Sequence, residues 1–164
     1  MLYFSRRGAL ALLAGLAAGG CRFEPALRSG QSAAILAGQF SVSVPGDRIA
    51  FLLEESLLQR LGNSGGIPSY MMQVALEVSE GKGAATGSGG VDRLLLSGAA
   101  EFTVSDADDV RLADGAVKGL VTFSSIDEII ASDAARKDAE QRLADLLAEK
   151  IVARLLLNSD EWSL

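Results

Sequence analysis

The apolar residues of this chain recur with two different periods, and the order of those periods limits the folds that it can adopt. Between Gly38 and Val44 every second residue is apolar, which indicates a half-buried strand. Pro45-Gly46 ends this pattern, and Asp47 stands where a residue caps the start of a helix. Gly62 closes this predicted helix. Its apolar residues share one face: Ile49, Leu52, Leu53, Leu57 and Leu61.

After a turn-rich loop over residues 63–68, apolar residues again occur at every second position. Strands are predicted over Tyr70–Val78 and over Leu94–Val104. A fourth strand follows an acidic turn, is interrupted near Asp114-Gly115 and resumes through Val117, Val121 and Phe123. From about Ile130 to Leu157 the period becomes helical again. The apolar stripe of this long helix consists of Ala135, Ala139, Leu143, Leu147, Ile151 and Leu155.

This order predicts an α+β domain of two layers. A sheet with alternating faces can bury its apolar side beneath the two helices. We therefore expect a four-stranded, mainly antiparallel sheet packed against two helices, in the order β-α-β-β-β-α, over residues 38–164.

The N-terminus has the pattern of a secretory signal peptide. Arg6 and Arg7 precede an apolar run from Ala9 to Ala18, and small residues follow it. The run is shorter than the ~20 residues that a membrane-spanning helix needs. We expect residues 1–20 to be removed, with 21–37 left as a tether. Ser5-Arg6-Arg7 hints at twin-arginine export, and the general secretory route stays an open alternative.

Cys21 is the single cysteine, and it directly follows the predicted cleavage point. This position is where bacterial lipoproteins carry a thioether-linked diacylglycerol and an acylated amine such as a palmitoyl amide. More than one acyl chain is needed for stable anchoring. We therefore predict a lipoprotein attached to the membrane through Cys21. Because Arg22, and not Asp, follows it, we expect sorting to the outer membrane, on its periplasmic side.

Charge and residue content exclude several functions. Residues 1–20 contain two of the 15 basic residues and none of the 21 acidic ones, so the net charge of the remaining chain is 13 − 21 = −8. A domain with this net charge is unfavourable for binding nucleic acid. The chain has no histidine, which excludes His-based catalysis and most zinc sites. The acidic run around Asp106–Asp109 is interpreted as a solvated hairpin turn and not as a cation site. We expect no enzyme activity, no metal and no cofactor.

Residues Gly81–Gly90 are rich in glycine but lack the Gly-Lys-Ser/Thr ending of a phosphate-binding loop, and a strand follows them. This segment is predicted to be a long hairpin loop. It contains Lys82, and Arg93 lies just beyond it. These two residues are the best basic candidates for binding on an otherwise acidic domain, although exposed cations often serve only solubility.

The segment Cys21-Arg22-Phe23-Glu24-Pro25-Ala26-Leu27 resembles the Cys-Gly-Phe-x-Pro-Leu-Tyr opening of alphaproteobacterial lipopolysaccharide-assembly lipoproteins, the LptE (RlpB) family. It departs from that opening at Arg22 and at Ala26-Leu27. Residues Leu94–Asp106 are similar to the family's third strand, and Ala131–Leu155 is similar to its closing helix. The predicted order of elements also agrees.

The resemblance implies a function. Members of this family sit inside the outer-membrane β-barrel LptD, bind lipopolysaccharide and help to insert it into the outer leaflet. Lys82 and Arg93 would then meet the phosphates of lipid A. The alternatives are an auxiliary lipoprotein of an ABC-type envelope transport system and a periplasmic hydrolase that uses carboxylates. The sequence offers no paired Asp/Glu constellation for the hydrolase.

Overall fold

The computed structural model describes residues 38–62, 66–83, 92–125 and 129–157. Their order is β1 (Phe40–Ser43), α1 (Arg48–Leu61), β2 (Tyr70–Lys82), β3 (Asp92–Asp106), β4 (Arg111–Ser125) and α2 (Ile129–Leu157). The strands form one sheet in the order β1-β2-β3-β4. The predicted α+β class and the order of elements are confirmed. None of the helices in these ranges combines the length and hydropathy that a membrane crossing needs.

The sheet is mixed because β1 and β2 run in parallel while β2, β3 and β4 form antiparallel pairs. Parallel neighbours need a crossover, and α1 supplies it. Helix α1 begins at the predicted cap, where Asp47 Oδ1 accepts a hydrogen bond of 3.2 Å from the N–H of Ile49. It ends at Gly62, whose φ of 83° lies in the left-handed region that glycine adopts most easily.

Both helices pack on one face of the sheet, called here the helix face, and the opposite face is called the open face. All five predicted apolar residues of α1 are buried, and in α2 the stripe from Ala139 to Leu155 is buried while Ala135 is partly buried. The helix face contributes Met72, Val74 and Phe102 to the same core. Burial of these apolar surfaces is the main force that holds the two layers together.

The prediction of an interruption in the fourth strand near Asp114-Gly115 is wrong, because β4 runs without a break from Arg111 to Ser125. Gly115 is needed there for space. A Cβ atom on Gly115 would lie 2.8 Å from Cζ of Phe102 and 3.0 Å from Nε of Arg154. The glycine therefore admits the Phe102 ring and the Arg154 side chain instead of ending the strand.

The predicted hairpin loop also begins later than expected. Gly81 and Lys82 belong to β2, and the N–H of Gly83 donates to the carbonyl of Arg93 over 2.7 Å. The remainder of the predicted loop lies outside the described residues. The acidic turn is confirmed: Asp106 Oδ1 accepts hydrogen bonds of 2.9 Å from the N–H groups of Asp108 and Val110, so this carboxylate holds the β3–β4 turn together.

Candidate functional site

The chain enters the domain at one end of the sheet, and the predicted basic residues lie at the other. Gly38 precedes β1, whose Phe40 pairs with Tyr70, the first residue of β2. Lys82 is the last of the 13 residues of β2, which places it about 40 Å further along the strand. Cys21 and the predicted signal peptide lie outside the described residues, so the anchor stays a prediction.

Lys82 and Arg93 lie on neighbouring strands, and both are exposed. Lys82 pairs with Leu94, and Arg93 pairs with Ser124 on the other side. Because side chains alternate along a strand, Lys82 lies with Leu94 on the helix face and Arg93 lies on the open face. The structure brings the two cations to one end of the sheet but not to one face of it.

The open face carries a shallow cavity of about 900 Å³ that crosses three strands. One side is formed by Glu77, Ala99 and Lys118, which lie side by side in the sheet register. The other side is formed in the same way by Ser79, Ser97 and Leu120. Leu146 and Lys150 of α2 border the cavity at the β4 edge. The cavity therefore combines serine hydroxyls with two lysines and two leucines.

Two paired glycines lie at the floor of this cavity. Gly98 and Gly119 face each other in the middle of the sheet and form part of the cavity floor. On the helix face, a Cβ atom added to either glycine would come within 3.0 Å of a leucine side chain of α2, either Leu147 or Leu143. Helix α2 therefore lies close against the sheet behind this floor.

Three basic side chains of α2 cover the outer edge of β4, and we call them the basic row. Arg142 donates to the carbonyl of Thr122 (3.3 Å), Lys150 to that of Lys118 (2.6 Å), and Arg154 to that of Ala116 (3.4 Å). Four residues of a helix rise about 6 Å, and two residues of a strand rise about 6.6 Å. Because these distances are similar, basic side chains spaced by four residues on α2 can reach carbonyls spaced by two residues on β4. The basic row was not predicted from the sequence, although its members are separated by multiples of four residues along the predicted helix.

The described residues contain no group of three acidic or sulfur-bearing side chains able to hold a metal ion. The Lys137 ammonium lies 2.7 Å from a carboxylate oxygen of Asp133, and their hydrogen bond, followed by the attraction of the charges, lowers the pKa of Asp133 below its ordinary value. Both side chains are more than half exposed, one turn apart on α2. This pair is a surface feature of the helix and not a site for proton transfer.

The fold has solved counterparts. A predicted lipoprotein from Caulobacter crescentus CB15 is 23% identical with a TM-score of 0.62, covering 77% of this chain and 93% of its own. A minor lipoprotein from Acinetobacter baumannii is 16% identical with a TM-score of 0.54, covering 75% and 94%. The rare lipoprotein B from Shewanella oneidensis is 10% identical with a TM-score of 0.51, covering 74% and 94%. At these identities the likeness shows the fold alone.

No curated protein has a significantly similar sequence. The sequence model of the LptE family, described as lipopolysaccharide-assembly, matches residues 37–155. This range begins just before β1 and ends near the C-terminus of α2, so it spans the whole described domain. The match, and the agreement of the fold with the family resemblance noted in the sequence, establish that the chain belongs to the LptE lipopolysaccharide-assembly family.

Proposed function

We propose that this chain is an outer-membrane lipoprotein that plugs the LptD β-barrel and assists it in inserting lipopolysaccharide into the outer leaflet. The observation that carries this proposal is the family match over residues 37–155. The fold is in agreement with it, because three solved proteins that share this fold are described as lipoproteins. Lipid on Cys21 would hold the domain at the periplasmic side of the outer membrane.

The surface of the domain is compatible with a water-lined barrel interior. The open face presents small and polar side chains over its middle, including Ser79, Ser97 and Ala99. A large barrel has a polar lumen, so a plug needs a polar surface that is also compact. No catalytic chemistry is needed for this role, in agreement with the non-enzymatic character of the family.

The residues that would meet lipopolysaccharide are proposed on charge and position. Lys82 and Arg93 lie at the end of the sheet furthest from the point where the chain enters the domain, and both are exposed. A domain anchored at its N-terminus would present this end away from the anchor. Since Lys82 and Arg93 lie on opposite faces, we expect them to act as two separate contacts with anionic groups and not as one clamp.

Isolation of the native complex tests this proposal. The chain, with an affinity tag after Leu164, is expressed from its own promoter, extracted from membranes in mild detergent and purified. We expect an outer-membrane β-barrel protein and lipopolysaccharide to co-purify in constant proportion. Co-purification of an inner-membrane ATPase complex without a barrel would instead establish the alternative, an auxiliary lipoprotein of an ABC-type system. The Cys21→Ala chain, treated identically, controls for association that requires only proximity at the membrane.

A further inference from the structure

The two edges of the sheet differ in how their backbone groups are covered. Along β4, the basic row occupies the outward carbonyls of Ala116, Lys118 and Thr122. Basic side chains over an edge strand are a common way to prevent further strands from pairing with it. An added strand at this edge would have to displace all three side chains, so the β4 edge is closed.

The β2 edge is open over most of its length. Strand β1 pairs with β2 only from Tyr70 to Gln73. It ends because the N–H of Val44 donates to Oε2 of Glu54 in α1 over 3.2 Å, and the chain then turns into that helix. Glu54 thus holds the chain at the point where β1 ends. No described strand pairs with the β1 side of β2 beyond Gln73.

The hydrogen bonds of the sheet show which backbone groups point outward there. Gly83 bonds to β3 through its N–H, and in an antiparallel pair bonded and non-bonded positions alternate. Leu76, Val78 and Glu80 therefore direct their N–H and C=O groups away from β3. Tyr70 confirms the direction, since its N–H donates to the carbonyl of Gln39 on the β1 side. The open stretch from Leu76 to Lys82 is about 20 Å long.

Side chains beside this stretch favour a particular occupant. Val78 is 38% exposed on the helix face, although it is apolar. Glu77 is exposed on the open face, and no ion pair involves it among the described residues. Glu80 is bound to Arg136 at 3.4 Å. A second copy of the chain would bring further carboxylates to this edge, and like charges on paired strands are destabilising. A strand with an apolar residue beside Val78 and a basic residue beside Glu77 is complementary to it.

We propose that the β2 edge from Leu76 to Lys82 binds an extended segment of the barrel protein, which adds a fifth strand to the sheet. This inference rests on the proposed function, since it assigns the partner of that function a contact. Main-chain hydrogen bonds would provide the affinity, and the alternating apolar and basic side chains would provide the specificity. The closed β4 edge leaves the β2 edge as the side at which the sheet can be extended.

Amide hydrogen exchange on the purified complex and on the free chain tests this inference. Samples are quenched, and deuterium is located residue by residue by mass spectrometry with electron-transfer fragmentation. In the free chain, the amides of Val78 and Glu80 should exchange quickly, whereas those of Glu77 and Ser79, bonded to β3, should exchange slowly. In the complex, all four should be slow. The alternate residues thus serve as internal controls within one strand.

Proline substitutions provide a second readout. Val78→Pro removes one outward N–H without removing a bond to β3, since proline is tolerated on edge strands. We expect it to weaken binding of the barrel protein about tenfold. The matched control is Leu120→Pro, which removes an outward N–H from the closed β4 edge and should leave the affinity unchanged. Circular dichroism verifies that both variants fold.

The outcomes separate the inference from the proposed function. A barrel complex in which Val78 and Glu80 exchange as quickly as in the free chain overturns the inference and leaves the function standing. Slow exchange of both amides in the free monomer would mean that another segment of this chain covers the edge. Slow exchange that depends on protein concentration would mean that a second copy does. Either result overturns the inference, and the absence of any barrel complex rejects it together with the function.

Discussion

Truncation of Leu147 tests the packing of α2 on the sheet. Leu147 is fully buried, and it lies over the paired glycines Gly98 and Gly119. Because these two strand positions have no side chains, the sheet offers nothing that could move into a space left by the leucine. We therefore expect the cavity in Leu147→Ala to persist and the variant to be strongly destabilised.

The magnitude follows from two contributions. Leu147→Ala removes three carbon atoms, worth about 2.4 kcal/mol at about 0.8 kcal/mol each. The cavity adds to this loss, and buried Leu→Ala changes cost roughly 2.7–5 kcal/mol in total. Since the glycines prevent collapse, we expect about 4 kcal/mol. The matched control is Leu157→Ala on the same helix, where the side chain is 82% exposed, and its effect should stay below about 0.5 kcal/mol.

A second substitution makes this prediction sharper. In the native chain, a Cβ atom on Gly98 would lie 3.0 Å from Cδ1 of Leu147 and 3.2 Å from Cδ2 of Leu143, so Gly98→Ala should destabilise by about 1–3 kcal/mol through overpacking. In Leu147→Ala the same methyl group would enter the vacated space. There it should raise the free energy of unfolding by about 0.8 kcal/mol. Gly98→Ala would therefore destabilise the native chain but stabilise the Leu147→Ala variant.

The assay is equilibrium unfolding in urea, followed by circular dichroism, on a chain that begins at residue 22. Free energies of unfolding are compared among the native chain, Leu157→Ala and the three Leu147 and Gly98 variants. A loss below about 0.5 kcal/mol for Leu147→Ala would show that α2 does not pack on the sheet as described. A Gly98→Ala change that leaves the stability of the native background unchanged or raises it would refute the close approach of the helix to the glycines.

Three further predictions concern the anchor, the basic end and the contact between the helices. Cys21→Ala should abolish acylation, and mass spectrometry of the mature N-terminus checks it: an unmodified Cys21 in the native chain would contradict the lipoprotein assignment. Lys82→Glu and Arg93→Glu should each weaken lipopolysaccharide binding several-fold. Their losses of binding free energy should add in the double variant, because the two side chains lie on opposite faces. Unchanged affinity in the folded double variant would show that neither residue binds lipopolysaccharide. Ser56→Ala should lower the free energy of unfolding by about 1 kcal/mol, because buried Ser56 donates to the Asp145 carboxylate across α1 and α2. Unchanged stability in urea would contradict that last assignment.

Periodicity was sufficient to predict most of the fold. The apolar alternation of β2 and β3 and the stripe of α2 report directly which side chains are buried, so their positions could be read from the sequence. The start of α1 was equally accessible, because Asp47 and the Gly62 stop act locally. These features depend on neighbours in the chain and not on distant contacts.

The remaining features depend on contacts between distant residues. Gly115 suggests a break in β4 when only its neighbours in the chain are considered, whereas its contacts with the Phe102 ring and the Arg154 side chain explain it. Lys82 and Arg93 lie on opposite faces because of the register in which β2 pairs with β3. The sequence between the two strands does not indicate that register. The basic row becomes visible only once α2 lies beside β4. Each of these three features depends on contacts between residues that are distant in the sequence, and the periodicity of apolar residues does not indicate such contacts.

The most direct test of the proposed role is the arrival of newly made lipopolysaccharide at the cell surface after the chain is depleted. Cells that carry the gene under a repressible promoter are pulse-labelled in the sugar of the lipopolysaccharide core, and surface lipopolysaccharide is measured with a reagent that does not cross the outer membrane. We predict that depletion stops its appearance at the surface, while the native chain supplied in trans restores it and the Cys21→Ala chain does not. Continued arrival at the normal rate in depleted cells would contradict a role in lipopolysaccharide insertion.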